Sequence, residues 1–352
     1  MPERPIPRIS RRRLIQAASL LGAGAMLPRF SLGAGADLPP LITRRIPSAG
    51  EVLPVIGVGT NRFGNLKDAD AQALLRHMAE LGGTVIDTAA VYGDSEAVIG
   101  RALAALQLRS KMFVATKFNA PGVSFGPPPG MRAGRPPGAA PGGGAGAPPP
   151  GAPAGRPPMM MEQVYGTDSF ERSLKRLQTE RVDLLMAHFI GSVEPLMPTM
   201  LELKKAGRTR YIGITSVMPD QHPKLVEYMR RYPIDFVQVD YSLGSRSAAS
   251  DVFPVALERK IAVMVAVPFG GGWNSLFRRI GRRALPPLAS ELGASSWSQL
   301  FLKYVIAHPA VTCVIPGSTD LGHLEDNQAA GHGIVPTAEQ QRQLEAYWDQ
   351  QD

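Results

Sequence analysis

From about residue 50 onward the chain alternates between two periods of apolar and polar positions. Short β-branched runs, VIGVGT, TVIDTA, MFVATKF, VDLLMAHF, YIGITS, FVQVDYS, IAVMVAVPF and VTCVIPGS, are apolar along nearly their whole length. Between them lie segments with helical spacing, such as DADAQALLRHMAELGG and SSWSQLFLKYVIAHP. Continuous apolar strands belong to parallel sheets buried on both faces, because a half-exposed strand would alternate. Eight such strands joined by helices are what a closed (β/α)8 TIM barrel requires, and the pattern predicts that α/β fold as a single domain over residues 37–352. An open doubly wound sheet is the structural rival. Its glycine-rich turn after the first strand is missing, since Gly57-Val58-Gly59-Thr60-Asn61-Arg62 lacks the third glycine of the G-x-G-x-x-G pattern.

One stretch breaks the rhythm. Residues 121–158, after the third strand, hold 13 prolines and 11 glycines in 38 positions. So little apolar surface cannot offset the entropy of ordering, and the stretch reads as a disordered Pro/Gly-rich insertion on the face of the barrel where strands end. It reads as a passive spacer or as a lid or docking segment.

Composition changes the picture mainly at the N-terminus. With 352 residues, 44% hydrophobic and 19% charged, the chain can bury a large core. Of the net charge of +8, residues 1–36 supply five, from six arginines and one glutamate. The remainder argues against a nucleic-acid surface. Ser10-Arg11-Arg12-Arg13-Leu14-Ile15 precedes an apolar stretch too short and too rich in glycine and alanine for a stable membrane span. This reads as a twin-arginine export signal, with Ala34-Gly35-Ala36 before a mature start at Asp37. The expected partner is then the twin-arginine export machinery, and the expected location is periplasmic or extracytoplasmic. Cys313 is alone, so no intrachain disulfide forms, and its apolar run marks it as a buried, inert strand residue.

Polar groups at strand tips carry the candidate chemistry. The second strand ends in Asp87, with Tyr92 five residues on; the third ends in Lys117 and the fourth in His188. In a parallel barrel these tips converge on one mouth. A phenol, with an ordinary pKa of about 10, is a weak acid at neutral pH, and a neighbouring ammonium lowers that value. Lys117 is placed to do so, Asp87 to hold Lys117, and His188 to orient a carbonyl or share the proton. Taken singly, each has an ordinary structural reading as a cap, a core aromatic, a solvated tip or a satisfied barrel histidine. No metal-ligating set stands out.

The run D-T-A-A-x-Y-G, followed by S-E-x-x-I-G, then A-T-K and D-L-L-x-x-H, resembles the aldo-keto reductase pattern. The resemblance covers residues 44–345 apart from the insertion. It extends through Gly207-Arg208-Thr209-Arg210-Tyr211-Ile212-Gly213, Gln238-Val239-Asp240-Tyr241-Ser242, and Ile315-Pro316-Gly317 with Asn327 downstream. It implies hydride transfer between a nicotinamide cofactor and an aldehyde or ketone, with Tyr92 as general acid, Lys117 and Asp87 tuning it and His188 positioning the carbonyl. The implied cofactor contacts are Gly59, Thr60, Thr215, Ser216, Gln238, Pro268, Phe269, Gly270, Gly317, Ser318, Thr319, His323, Asp326 and Asn327. Two positions depart from the family. Thr215-Ser216 stands where a Ser-Asn pair holds the nicotinamide amide, and Ala266 stands where an aromatic ring commonly stacks on it. The stretch after the eighth strand lacks the lysine or arginine that often meets a 2′-phosphate, and Asp320 there would repel one; Arg278, Arg279, Arg282 and Arg283 in the preceding loop are the compensating candidates. Family habit favours NADP, with NAD open. The alternative function is an exported reductase-like binding protein with little turnover.

Overall fold

The computed structural model describes residues 38–123, 165–271 and 275–351. Residues 1–36, read above as an export signal, and nearly all of the 121–158 insertion lie outside the described residues. The described chain opens with an antiparallel hairpin of β1 (Thr43–Arg45) and β2 (Val52–Pro54). Eight parallel strands follow: β3 (Val58–Gly59), β4 (Val85–Asp87), β5 (Phe113–Phe118), β6 (Val182–Ala187), β7 (Thr209–Ser216), β8 (Phe236–Asp240), β9 (Ala262–Ala266) and β10 (Val311–Val314). Each pairs with its neighbour in sequence, and β3 meets β10 through the isolated bridges Ile56–Val314 and Gly59–Gly317. These are the eight expected strands, in a (β/α)8 barrel.

Helices fill the connections. They are α1 (Asp68–Glu80), α2 (Ser95–Leu106), α3 (Gly166–Arg176), α4 (Val193–Lys205), α5 (His222–Arg231), α6 (Ser247–Asp251) and α7 (Phe253–Arg259). Then come α8 (Leu276–Ile280), α9 (Pro287–Glu291), α10 (Trp297–Ala307), α11 (Leu321–Ala329) and α12 (Ala338–Asp349). Their starts follow local chemistry. Ser296 Oγ accepts from the Gln299 N–H to cap α10, and Thr337 with Gln340 forms a reciprocal capping box on α12.

Strand alternation sorts the core into two shells. Val85, Phe113, Ala115, Leu184, Met186, Phe236, Met264 and the buried Cys313 fill the barrel interior. Val114, Phe118, Leu185, Ile212 and Val237 face the helices. Both faces being apolar is why these strands show no polar alternation in sequence. Low in the interior, Phe113, Tyr211 and Phe236 pack with ring centroids 5.6–6.0 Å apart. Ile46 and Leu53, at the turn-side ends of the hairpin, join that cluster. Truncating one of the phenylalanines to alanine is expected to cost about 3–5 kcal/mol.

The hairpin is the element that the apolar pattern does not reveal. Thr43-Arg44-Arg45 is exposed, half-buried and exposed in turn. Beside it Ile46, Leu53 and Pro54 are driven inward, too few to register as a strand pattern.

Candidate active site

The same alternation that packs the interior places polar side chains in its upper layer. Asp87 follows Val85 by two residues, Lys117 follows Ala115, and Gln238 follows Phe236. All three are buried, Lys117 completely. Lys117 Nζ donates to Asp87 Oδ2 at 2.6 Å and to the Thr88 carbonyl at 2.9 Å. Gln238 Nε2 donates to Asp87 Oδ1 at 3.1 Å and lies 3.3 Å from Met264 Sδ, while Gln238 Oε1 accepts from Thr215 Oγ1 at 3.1 Å. Burial works against the Lys117 ammonium, but Asp87 and Tyr92 together outweigh it and the pKa lies above the ordinary lysine value. The lysine is therefore a fixed charge under the mouth.

Tyr92 and His188 stand over that charge. Tyr92 ends a turn in which its N–H donates to the Ala89 carbonyl, and Gly93 beyond it adopts φ +60°, a conformation that favours glycine, before α2 begins. The Lys117 ammonium lies 5.2 Å from the centre of the Tyr92 ring. The Tyr92 and His188 rings meet edge to face with centroids 5.6 Å apart, and Phe189 stacks on His188 at 4.3 Å. Burial raises the Tyr92 phenol above its ordinary pKa, and the Lys117 charge only partly opposes this. The sequence reading had the ammonium lowering the phenol; in the folded protein desolvation is the larger effect. His188 is pushed well below the ordinary histidine value by burial and by Lys117, which keeps it neutral. Its Nδ1 is buried without a hydrogen-bond partner.

The expected cofactor residues lie near or just beyond the ends of β3, β7, β8, β9 and β10 and along α11. Gly59 and Gly317 are bridged across the barrel seam, and a Cβ on Gly59 would sit 3.0 Å from the Ile315 carbonyl. Thr60 uses its hydroxyl structurally, donating to the Asp87 carbonyl at 2.9 Å. Ser216 Oγ donates to Gln221 Oε1 at 2.7 Å, a partner that the sequence reading missed. Pro268, Phe269 and Gly270 follow β9 in a turn closed by the Gly270 N–H on the Val267 carbonyl at 2.9 Å.

At the start of α11, Ser318 Oγ donates to the Asp320 carbonyl and Asp320 Oδ1 accepts from the His323 N–H. Thr319 and the His323 side chain are exposed, and Asn327 is buried. Asp326 is engaged elsewhere, accepting from Ser296 Oγ and Gln299 Nε2 of α10, both at 2.8 Å. Of the arginines in the loop, Arg279 lies over the Trp348 ring and Arg283 donates to the Arg279 carbonyl. Both are thereby drawn into contacts of the loop itself and of α12.

Also missed was a polar strut beside the mouth. His222, fully buried at the start of α5, faces Asp240 Oδ1 at 3.1 Å and Asp251 Oδ2 at 3.2 Å. Asp240 Oδ2 accepts from Ser245 Oγ at 2.8 Å. Burial works against protonation of the imidazole, but the two carboxylates outweigh it and the His222 pKa is raised. A histidine opening a helix carries no sequence signal of such pairing, because its partners lie 18 and 29 residues away.

The model of the aldo/keto reductase family matches residues 55–349. The chain belongs to the aldo/keto reductase family. Among its relatives, the L-galactose dehydrogenase of Arabidopsis thaliana is 26% identical over 314 residues, covering 82% of this chain and 87% of the relative. A probable aldo-keto reductase of Glycine max is 27% identical over 304 residues, 75% of each chain. Among solved structures, the holo form of an aldo-keto reductase from Bacillus halodurans superposes with a TM-score of 0.62 at 23% identity, covering 87% of this chain and 96% of that one. An aldo-keto reductase from Klebsiella pneumoniae in complex with NADPH gives 0.60 at 23% identity, covering 88% and 95%.

Proposed function

We propose that this protein reduces an aldehyde or ketone with hydride from NADPH, and that Tyr92 donates the accompanying proton. The family makes it an NAD(P)-dependent oxidoreductase. The carrying observation is the completely buried Lys117, held by Asp87 beneath the Tyr92 ring. The glycines at 59 and 317 keep the seam close, a Cβ on Gly59 meeting the Ile315 carbonyl at 3.0 Å, and leave bare backbone beside the proposed dinucleotide site. When bound, the nicotinamide would supply a hydride to the carbonyl carbon. As the carbonyl oxygen gains negative charge, Tyr92 transfers its hydroxyl proton to it, forming an alcohol and a phenolate. Lys117 stabilises that phenolate by charge, and solvent later restores the proton. Neutral His188 keeps its ring available to orient the carbonyl oxygen. Thr215, Ser216 and Gln238 are the proposed holders of the nicotinamide end, with Gly317, Ser318, Thr319, His323 and Asn327 toward the adenosine.

NADP is favoured by the Klebsiella relative, which was solved with NADPH. NAD is the second reading, favoured by the Asp320 carboxylate on α11. Fluorescence titration with NADPH and NADH separates them.

The central test is single-turnover reduction of an aromatic aldehyde by protein preloaded with reduced nucleotide. Tyr92→Phe is expected to slow it by roughly two to four orders of magnitude while leaving nucleotide affinity nearly unchanged. Equal rates in wild type and variant would remove Tyr92 as the acid. Absence of turnover with a broad carbonyl panel would favour the binding-protein alternative.

We propose further that Arg11 and Arg12 direct export by the twin-arginine machinery, making the protein periplasmic. That route carries folded proteins and so suits a chain that loads its nucleotide before translocation. No helix among the described residues is long and apolar enough to cross a membrane. Changing both arginines to lysine is expected to hold the protein in the cytoplasm, because a guanidinium fork and an ammonium are not equivalent to a site that reads the pair. Undiminished periplasmic yield would refute it.

A further inference from the structure

Asn119 lies one residue beyond β5 and shares the interior-facing parity of Lys117, because side chains alternate along an extended chain. The backbone around it is pinned. The Phe118 carbonyl accepts from the His188 N–H, the Asn119 carbonyl accepts from the Gly166 N–H, and the Ala120 N–H donates to Ser192 Oγ, each at 3.0 Å. The residue is only 7% exposed, yet its Oδ1 is buried with no hydrogen-bond partner. An asparagine at the end of a strand ordinarily spends that oxygen on a nearby backbone N–H, capping a turn or a helix. Here it does not. On the neighbouring strand tip His188 Nδ1 is also buried and unpaired. An unpaired buried acceptor is destabilising, and such atoms are infrequent in folded proteins. Two buried unpaired polar atoms on adjacent tips, one of them on the ring that meets Tyr92 edge to face, mark a place shaped to meet polar groups of a substrate.

We infer that Asn119 is a specificity-determining residue, whose Oδ1 accepts a hydrogen bond from a hydroxyl on the carbon next to the substrate carbonyl. The inference rests on the reductase reading. It names the substrate class as hydroxylated aldehydes or ketones. Its chemistry is asymmetric: a hydroxylated substrate pairs the buried oxygen, whereas a deoxy analogue shuts it away from water unpaired.

The test compares kcat/KM for glyceraldehyde and for propanal, which share a three-carbon skeleton, with NADPH as reductant. Wild type is expected to prefer glyceraldehyde. Asn119→Leu, and Asn119→Ala as a variant that adds no volume, are expected to reduce that preference by about tenfold. Asn119→Asp keeps the acceptor and is expected to keep the preference. NADPH dissociation constants should stay within about twofold across the series, a readout that general damage to the barrel would move. An unchanged preference in both the leucine and the alanine variant would overturn the inference, as would an equal loss for the two aldehydes. Turnover of neither aldehyde by wild type would overturn the reductase reading and the inference with it.

Discussion

Replacing Lys117 with methionine separates what the buried ion pair does for the fold from what it does for the chemistry. The side chain is fully buried, its carboxylate partner is 4% exposed, and the two are 2.6 Å apart, so solvent screens the pair very little. Without the ammonium, Asp87 keeps one donor from Gln238, and the Thr88 carbonyl loses the lysine as donor. Stranding one member of a buried pair costs about 3–5 kcal/mol, which at roughly 2 °C per kcal/mol in a large domain lowers Tm by about 6–10 °C. The double variant Lys117→Met, Asp87→Asn removes the stranded charge and preserves an amide oxygen for Gln238. It should regain at least half of the lost stability, because a neutral replacement of a buried pair is often close to energetically even. Its turnover should stay as low as that of the single variant, since no cation remains to favour the Tyr92 phenolate. Thermal unfolding by circular dichroism, with single-turnover reduction on the same samples, reads both. A Lys117→Met protein within 1 °C of wild type, or a double variant no more stable than the single one, would refute the reasoning.

Reduction should have a flat pH–rate profile through the neutral range and fall only on the alkaline side, since His188 stays neutral and burial holds the Tyr92 phenol above its ordinary pKa; steady-state kcat/KM across that range checks it, and a step near pH 7 would count against it. His222→Gln tests the strut. A raised folded pKa gives stability that is fully present below the unfolded value of about 6.5 and is lost as pH rises through the folded one. The Tm gap between wild type and variant should therefore narrow from pH 6 to pH 9, and a widening gap would refute it. Val267 is 40% exposed and held at φ +46°, a left-handed backbone that strains a β-branched residue by roughly 1 kcal/mol. Val267→Gly should keep or raise the urea midpoint despite the lost side chain.

The barrel was legible because its strands are buried on both faces, which writes them as unbroken apolar runs. Asp87, Lys117 and His188 were legible because a polar residue ending such a run has few other places to go, and Tyr92 by its spacing from Asp87. Pairings made across sequence distance were not. Nothing near Ser216 announces that Gln221 takes its hydroxyl, and nothing near Asp326 announces that Ser296 and Gln299 of α10 take its carboxylate. The balance between burial and charge at Tyr92 was equally hidden, because desolvation depends on everything packed around a ring and sequence displays only the charge. The sequence did carry Arg278, Arg279, Arg282 and Arg283 as phosphate candidates, but not that the first two fall on α8 or that Arg279 covers the Trp348 ring.

The seam between β3 and β10 has a mechanical consequence. Across the ring the ladders are long, with five residue pairs between β6 and β7 and five between β8 and β9, whereas β3 meets β4 through two pairs only. At the seam the backbone bonds are Gly57 N–H to Val314, Val314 N–H to Val55 and Gly59 N–H to Pro316. The barrel thus behaves as a ribbon with a clasp, and thermal opening should start around β3, which is held by few bonds on both its β10 and its β4 side. Amide protons of Gly57 and Gly59 should exchange sooner than those inside the β6–β7 ladder. Because the clasp lies at the proposed dinucleotide rim, a bound nucleotide would fasten it, and the slowing of those two amides would report occupancy without any turnover.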